Sequence, residues 1–155
     1  MKDLQKTYFP TVKAIKSAAE KLQGIASISP LEEHQRFSDK YHCKMLFKRE
    51  DLQQVRSYKI RGAYNKISSL TNEETKNGIV CASAGNHAQG VALSCQLLKI
   101  KGKIFMPATT PNQKVEQVKM FGKEFVEVVL IGDTFDDSYH KAIEECEQYN
   151  KPLVH

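Results

Sequence analysis

No two of the chain's eight glycines are adjacent, so the sequence offers no glycine-rich nest of backbone N–H groups for a phosphate and no Walker-type loop. The four cysteines, Cys43, Cys81, Cys95 and Cys146, form no C-x-x-C pair and lack the density of a disulfide framework. They read as reduced core residues, two of them inside apolar runs where a buried thiol is ordinary. The five histidines lack ligand spacing with cysteines or carboxylates, so no metal is expected. No stretch reaches the apolar length of a membrane span, and Met1 to Pro10 is charged and polar without the apolar core of a signal peptide. A soluble cytoplasmic protein without a membrane partner is the expectation. The net charge of +5 is spread along the chain, with no basic block and no aromatic-interleaved arm. Nucleic acid is therefore not an expected partner, and a solvated basic surface that favours anionic ligands accounts for the charge.

A chain of 155 residues with 41% hydrophobic content suffices for one α/β unit and is short for a two-domain enzyme. Val12, Ile15, Ala19 and Leu22 fall at helical spacing, which predicts a helix over 11–23 that ends at Gly24. Ser29-Pro30-Leu31 then breaks the periodicity, a polar helix is expected over 33–39, and Lys44 to Lys48 reads as a strand. Ile60, Ala63, Tyr64, Ile67 and Leu70 line one face of a helix beginning near Ser57, with Lys59 in its first turn. A second unit repeats this grammar, with a strand at Ile79 to Ala82 and a helix carrying Ala88, Val91, Ala92, Cys95 and Leu98. Strands at 104–106 and 126–131, helices at 112–121 and 135–149, and a strand starting at Leu153-Val154 complete the pattern. This alternation predicts an α/β fold of right-handed βαβ units, an open parallel twisted sheet with helices on both faces.

Two places could carry chemistry. The loop Ser83-Ala84-Gly85-Asn86-His87 lies between a strand and a helix, at the strand's carboxyl end, where ligands bind in open α/β sheets. Small residues permit close approach, the helix N-terminus favours an anion such as a carboxylate, and Asn86 adds an amide that donates and accepts. The plainer alternative is that Ser83 caps the helix, Gly85 makes the turn and His87 lies on the surface. Lys59 sits at a helix N-terminus, where the dipole disfavours a cation. Either it is an ordinary solvated lysine, or its amine is used covalently as a Schiff base.

The strings Lys48-Arg49-Glu50-Asp51, Ser57-Tyr58-Lys59-Ile60-Arg61-Gly62-Ala63 and Ala82-Ser83-Ala84-Gly85-Asn86-His87-Ala88-Gln89-Gly90 resemble, in order and spacing, those of threonine dehydratases of the fold-type II pyridoxal-phosphate class. Met106-Pro107, Thr110-Pro111, Lys114-Val115 and Gly132-Asp133-Thr134-Phe135-Asp136 extend the likeness, which runs from about Ile28 onward. The resemblance implies that Lys59 carries pyridoxal 5'-phosphate and takes the α-proton of the substrate, that Tyr58 lies near the cofactor ring, and that Asn86 bonds its phenolic oxygen. It also implies that Ser83, Ala84, Gly85, Asn86 and His87 hold the substrate carboxylate. The implied reaction is deamination of L-threonine, with L-serine as a second substrate, to the 2-oxo acid and ammonia, in isoleucine biosynthesis and by a homo-oligomer. A degradative threonine or serine dehydratase is the near neighbour, and a non-catalytic α/β module that binds a carboxylate is the alternative from another class. Family members carry a glycine-rich phosphate loop and a serine facing the pyridine nitrogen, neither of which is found in this chain, so a fragment is the expectation. On that view residues 1–55 are an N-terminal segment that packs on a larger domain, with exposed apolar area centred on the first helix. Residues 56–155 are then the domain of the cofactor lysine and substrate loop.

Overall fold

A run of apolar residues without polar alternation must be covered on both sides when it becomes a strand, and Ile79 to Ala82 is such a run. The computed structural model describes residues 9–155, so the polar stretch expected at the N-terminus lies outside the described residues as far as residue 8. In chain order the elements are α1 (Val12–Lys21), β1 (Leu31–Glu33), α2 (Gln35–Tyr41), β2 (Leu46–Lys48), α3 (Lys59–Ile67), the single turn α4 (Asn72–Thr75) and β3 (Ile79–Ala82). There follow α5 (Asn86–Leu98), β4 (Gly102–Met106), α6 (Asn112–Gly122), β5 (Val126–Leu130) and α7 (Phe135–Tyr149). Strands β3, β4 and β5 are parallel neighbours in that order, with Ile79 beside Gly102 and Gly102 beside Val126. The parallel sheet read from the alternation is therefore present, and helices cover both of its faces.

The period of two decides which residues meet which helices. Ile79, Cys81, Ile104 and Met106 turn toward α3, α5 and α6, where they pack with Ala63, Ile67, Ala88, Val91, Ala92, Val115 and Val118. Val80, Ala82 and Phe105 turn the other way, onto Ala142 and Tyr139 of α7. Ile104 is fully buried in the middle strand. Ile104→Ala is expected to lower unfolding stability by about 3 kcal/mol, since the vacated volume lies between strands and helices that cannot close on it; a denaturant midpoint equal to the parent's would contradict this packing. Burial pushes the Cys81 and Cys95 thiols up to about 12, which agrees with reduced, unreactive core residues; Cys43, by contrast, is exposed and Cys146 half-buried, so the core reading holds for two of the four.

Local chemistry explains the helix ends. Thr11 and Thr134 accept from Ala14 N and Asp137 N, and Thr134 with Asp137 completes a capping box. In two places the structure differs from the sequence expectation. The polar helix expected over 33–39 begins at Gln35, because Glu33 belongs to β1, which pairs antiparallel with β2, and the His34 ring accepts from Phe37 N. Three exposed residues make too short a strand to leave a periodic trace. The strand expected at Leu153-Val154 is a single bridge to Val80, held by Val80 N to Pro152 O and Val154 N to Val80 O. Pro152 accepts there but has no N–H to extend the ladder.

The apolar stripe of α1 has no buried residue, and Val12 and Ile15 are exposed, as is Ile28 after it. Val55, by contrast, is buried with Ile60 and Leu93, so the chain entering α3 is joined to the core. Among the described residues no helix is long and apolar enough to cross a membrane, and no three His, Cys, Asp or Glu side chains are grouped to hold a metal ion.

Candidate functional site

The loop after β3 continues the sheet for one residue before it turns. Ser83 N donates to Phe105 O at 3.0 Å, and the Ser83 hydroxyl accepts from Gly85 N at 3.3 Å. Ser83 is thus spent on the loop itself and does not cap α5. Gly85 occupies the capping position in extended backbone, with no side-chain cap. The first N–H groups of α5 are left for water or a ligand, with the helix dipole behind them. Ser83, Ala84 and Gly85 are half-buried and Asn86 is exposed.

His87 is not a plain surface residue. It is half-buried, and its Nε2 lies 3.1 Å from Val154 O. A carbonyl can only accept, so Nε2 carries the proton and donates it to Val154 O. Burial, aided by the nearby charges of Lys59 and His155, holds the imidazole below its ordinary 6.5, while the bond to Val154 opposes the shift. A base whose folded value is depressed contributes stability above its unfolded value and loses it as pH falls below 6.5 toward the folded value. In an NMR titration the His87 ring should have its midpoint below 6.5; a midpoint at or above that value would contradict the buried, neutral imidazole.

Lys59 is the first residue of α3 and half-buried. Its Nζ lies 5.8 Å from the centre of the Tyr58 ring, and its backbone N–H reaches Ser57 Oγ at 3.4 Å. A cleft of about 220 Å³ is lined by Tyr58, Lys59, Gly62, Ala63, His87 and His155. No Asp or Glu side chain lines it, and the Lys59 amine favours an anion there. Of the residues singled out in the sequence, Tyr58, Lys59 and His87 therefore share one cavity. Ser83, Ala84, Gly85 and Asn86 lie at the same helix end without lining it. A larger hollow of about 650 Å³ runs along β1 and β2, but it holds neither this lysine nor the loop.

Glu50 and Arg61 both lie in the motif strings of the sequence, and the fold joins them. Arg61, two residues past Lys59, donates from Nε and Nη2 to the two oxygens of Glu50, each at 2.8 Å, and from Nη2 to Ser27 O at 3.1 Å. Gln53, 2% exposed, donates to Ser27 O and accepts from Ser27 N, and the Ser29 hydroxyl also donates to Glu50. The Arg61 guanidinium holds the Glu50 carboxyl at about 2, against an ordinary 4.5, with burial opposing and Ser29 assisting. This network fixes the start of α3 and hence the root of the Lys59 side chain. Opposite charges eleven residues apart carry no periodic signal, and the paired position of Gln53 depends wholly on tertiary folding. His155 also lines the cleft, and no pattern in the sequence marks it.

For pyridoxal phosphate, the residues present fit the aldehyde and ring. A lysine amine lines a cleft that has no Asp or Glu side chain, an aromatic ring is beside it, and an uncapped helix end is adjacent.

Residues 23–155 match the family of pyridoxal-phosphate dependent enzymes. The chain is 54% identical over 144 residues to a biosynthetic L-threonine dehydratase of Bacillus subtilis, covering 93% of this chain and 34% of the relative. It is 56% identical over 138 residues to the enzyme of the same name from Halalkalibacterium halodurans, covering 89% and 33%. Among solved structures, processed threonine deaminase isoform 2 of Solanum lycopersicum is 39% identical with a TM-score of 0.80, over 94% of this chain and 41% of that one. Maize serine racemase is 28% identical with a TM-score of 0.87, over 96% and 44%. The chain thus spans about a third of the length of the curated relatives it matches.

Proposed function

This chain belongs to the family of pyridoxal-phosphate dependent enzymes, and from that membership we propose that it serves the deamination of L-threonine to 2-oxobutanoate and ammonia, in isoleucine biosynthesis. The observation that carries the reading is the shared cleft of Lys59 and His87, which brings a reactive amine to the loop suited to a carboxylate. The names of the curated relatives support threonine as substrate.

When bound, the cofactor supplies a sink for the charge that develops at the substrate's α-carbon. Lys59 would hold it through Nζ, and the same amine would be placed to take the α-proton of the substrate. Tyr58 would border the cofactor's ring, and the Asn86 amide would donate to its phenolic oxygen. The substrate carboxylate is held by the loop from Ser83 through Ala84, Gly85 and Asn86 to His87, through the uncapped first-turn N–H groups of α5. The neutral His87 ring anchors that loop to Val154. The β-hydroxyl leaves, and hydrolysis releases the 2-oxo acid and ammonia.

Serine differs from threonine by one methyl group, a discrimination of about 1–3 kcal/mol, so L-serine should also react. Incubation with pyridoxal phosphate and either amino acid, with the 2-oxo acids measured, tests the reading. Formation of 2-oxobutanoate supports it. Cofactor bound at Lys59 with no 2-oxo acid formed would instead favour a non-catalytic module, a reading to which the lack of clustered glycines lends weight. We also place the protein in the cytoplasm as a homo-oligomer, and divide it near Val55 into an N-terminal segment that packs on a larger domain and a site-bearing domain. The exposed apolar face of α1 supports that division.

A further inference from the structure

Gly90 lies one turn past Asn86 on α5 and is buried against the first turn of α3. A Cβ at this position would stand 3.0 Å from both the carbonyl carbon and oxygen of Lys59 and 3.2 Å from Ile60 N. All three are backbone atoms, which cannot rotate aside as a side chain can. A substituent must therefore shift one helix against the other by a few tenths of an ångström.

We propose that Gly90 is a positioning residue: its lack of a side chain lets α5 touch the α3 backbone at Lys59, and so sets the span between the Lys59 amine and the Ser83 to His87 loop that α5 carries. Both halves of the site are tied elsewhere. Arg61 and Glu50 hold the start of α3, and His87 holds the loop to Val154. A displacement at Gly90 is then taken up between the amine and the loop. The residues around the contact are small, with Ala63, Ala88 and Ala92 all buried. Gly62 on α3, by contrast, has nothing within 4 Å of a built Cβ, so glycine is not required at every helical position of these motifs.

The inference rests on Lys59 being the cofactor lysine, but the helix contact can be tested separately. Three variants of the full chain are needed: Gly90→Ala; Leu93→Ala, which loosens the packing of α5 on Ile60 without adding an atom; and Ser94→Ala, which removes the buried bond from the Ser94 hydroxyl to Gly90 O at 2.7 Å. Backbone amide NMR shifts without cofactor and the dissociation constant for covalent pyridoxal phosphate at Lys59 are compared well below each Tm. Gly90→Ala is expected to move the amides of Ser57 to Ile60 and of Ser83 to Ala88 together, and to weaken adduct formation by about tenfold, since sites of this kind tolerate only about 0.5 Å of misplacement. Ser94→Ala should lower Tm without either effect. A folded Gly90→Ala chain with unchanged amides and affinity would overturn the proposal and leave Gly90 a packing residue. Should that variant not fold, Leu93→Ala must show the joint shift, and unchanged amides there would overturn it equally. No adduct at Lys59 in the parent chain would defeat the cofactor reading, while the amide shifts would still decide the helix contact.

Discussion

Replacing Lys59 with alanine is expected to abolish the covalent adduct with pyridoxal phosphate and, with it, any turnover of threonine. Proton transfer by a positioned side chain alone contributes on the order of 10²–10⁴-fold, and the covalent attachment is lost as well. The fold should be unaffected. Lys59 is half-buried and makes no side-chain hydrogen bond or ion pair among the described residues, so the change in stability should stay within about 0.5 kcal/mol. Visible absorbance, 2-oxobutanoate formation and a denaturation curve on the same preparation separate these effects. Retained turnover, or a Lys59→Ala chain that unfolds, would contradict the assignment.

The second large effect is expected at Glu50, which takes no part in bond making. Glu50→Ala leaves Arg61, Ser29 and the Gln53 amide without their shared acceptor. Removing one partner of a buried pair costs about 3–5 kcal/mol. Arg61 is 35% exposed, so water compensates in part and about 2–3 kcal/mol is expected here. The pH dependence follows from the direction of the shift. The depressed carboxyl contributes its full stability above the ordinary 4.5 and loses it as pH falls toward about 2. Parent and Glu50→Ala unfolding midpoints should therefore differ most at neutral pH and converge between pH 4.5 and 2. A difference independent of pH would mean that Glu50 acts by packing alone. Because the network anchors the start of α3, the same variant should weaken cofactor capture at Lys59 even where it remains folded.

The parallel sheet and its helices were legible because the apolar spacing is regular from Ile60 to Tyr149 and each change of period coincides with a strand or a helix. The lysine and the loop were singled out for a different reason: residues 57–63 and 82–90 resemble, in order and spacing, strings of the threonine dehydratases, whereas their chemistry alone left a solvated lysine and a plain capping turn open. What joins them was not legible. The bond from His87 to Val154 spans a sequence separation of 67 residues, and the place of His155 in the cleft depends on the Val80 bridge that brings the chain back beside β3. Glu50 and Gln53 lie in a segment without periodicity, where burial is decided by partners and not by pattern. The short β1 escaped for the same reason, since three exposed residues look like any loop.

The cofactor site at Lys59 is the claim on which the rest depends. Its most direct test is borohydride reduction of the chain mixed with pyridoxal phosphate, followed by peptide mapping of the modified lysines. One stoichiometric adduct at Lys59 is the predicted result. Labelling scattered over the exposed lysines, with Lys59 no more reactive than the others, would contradict it.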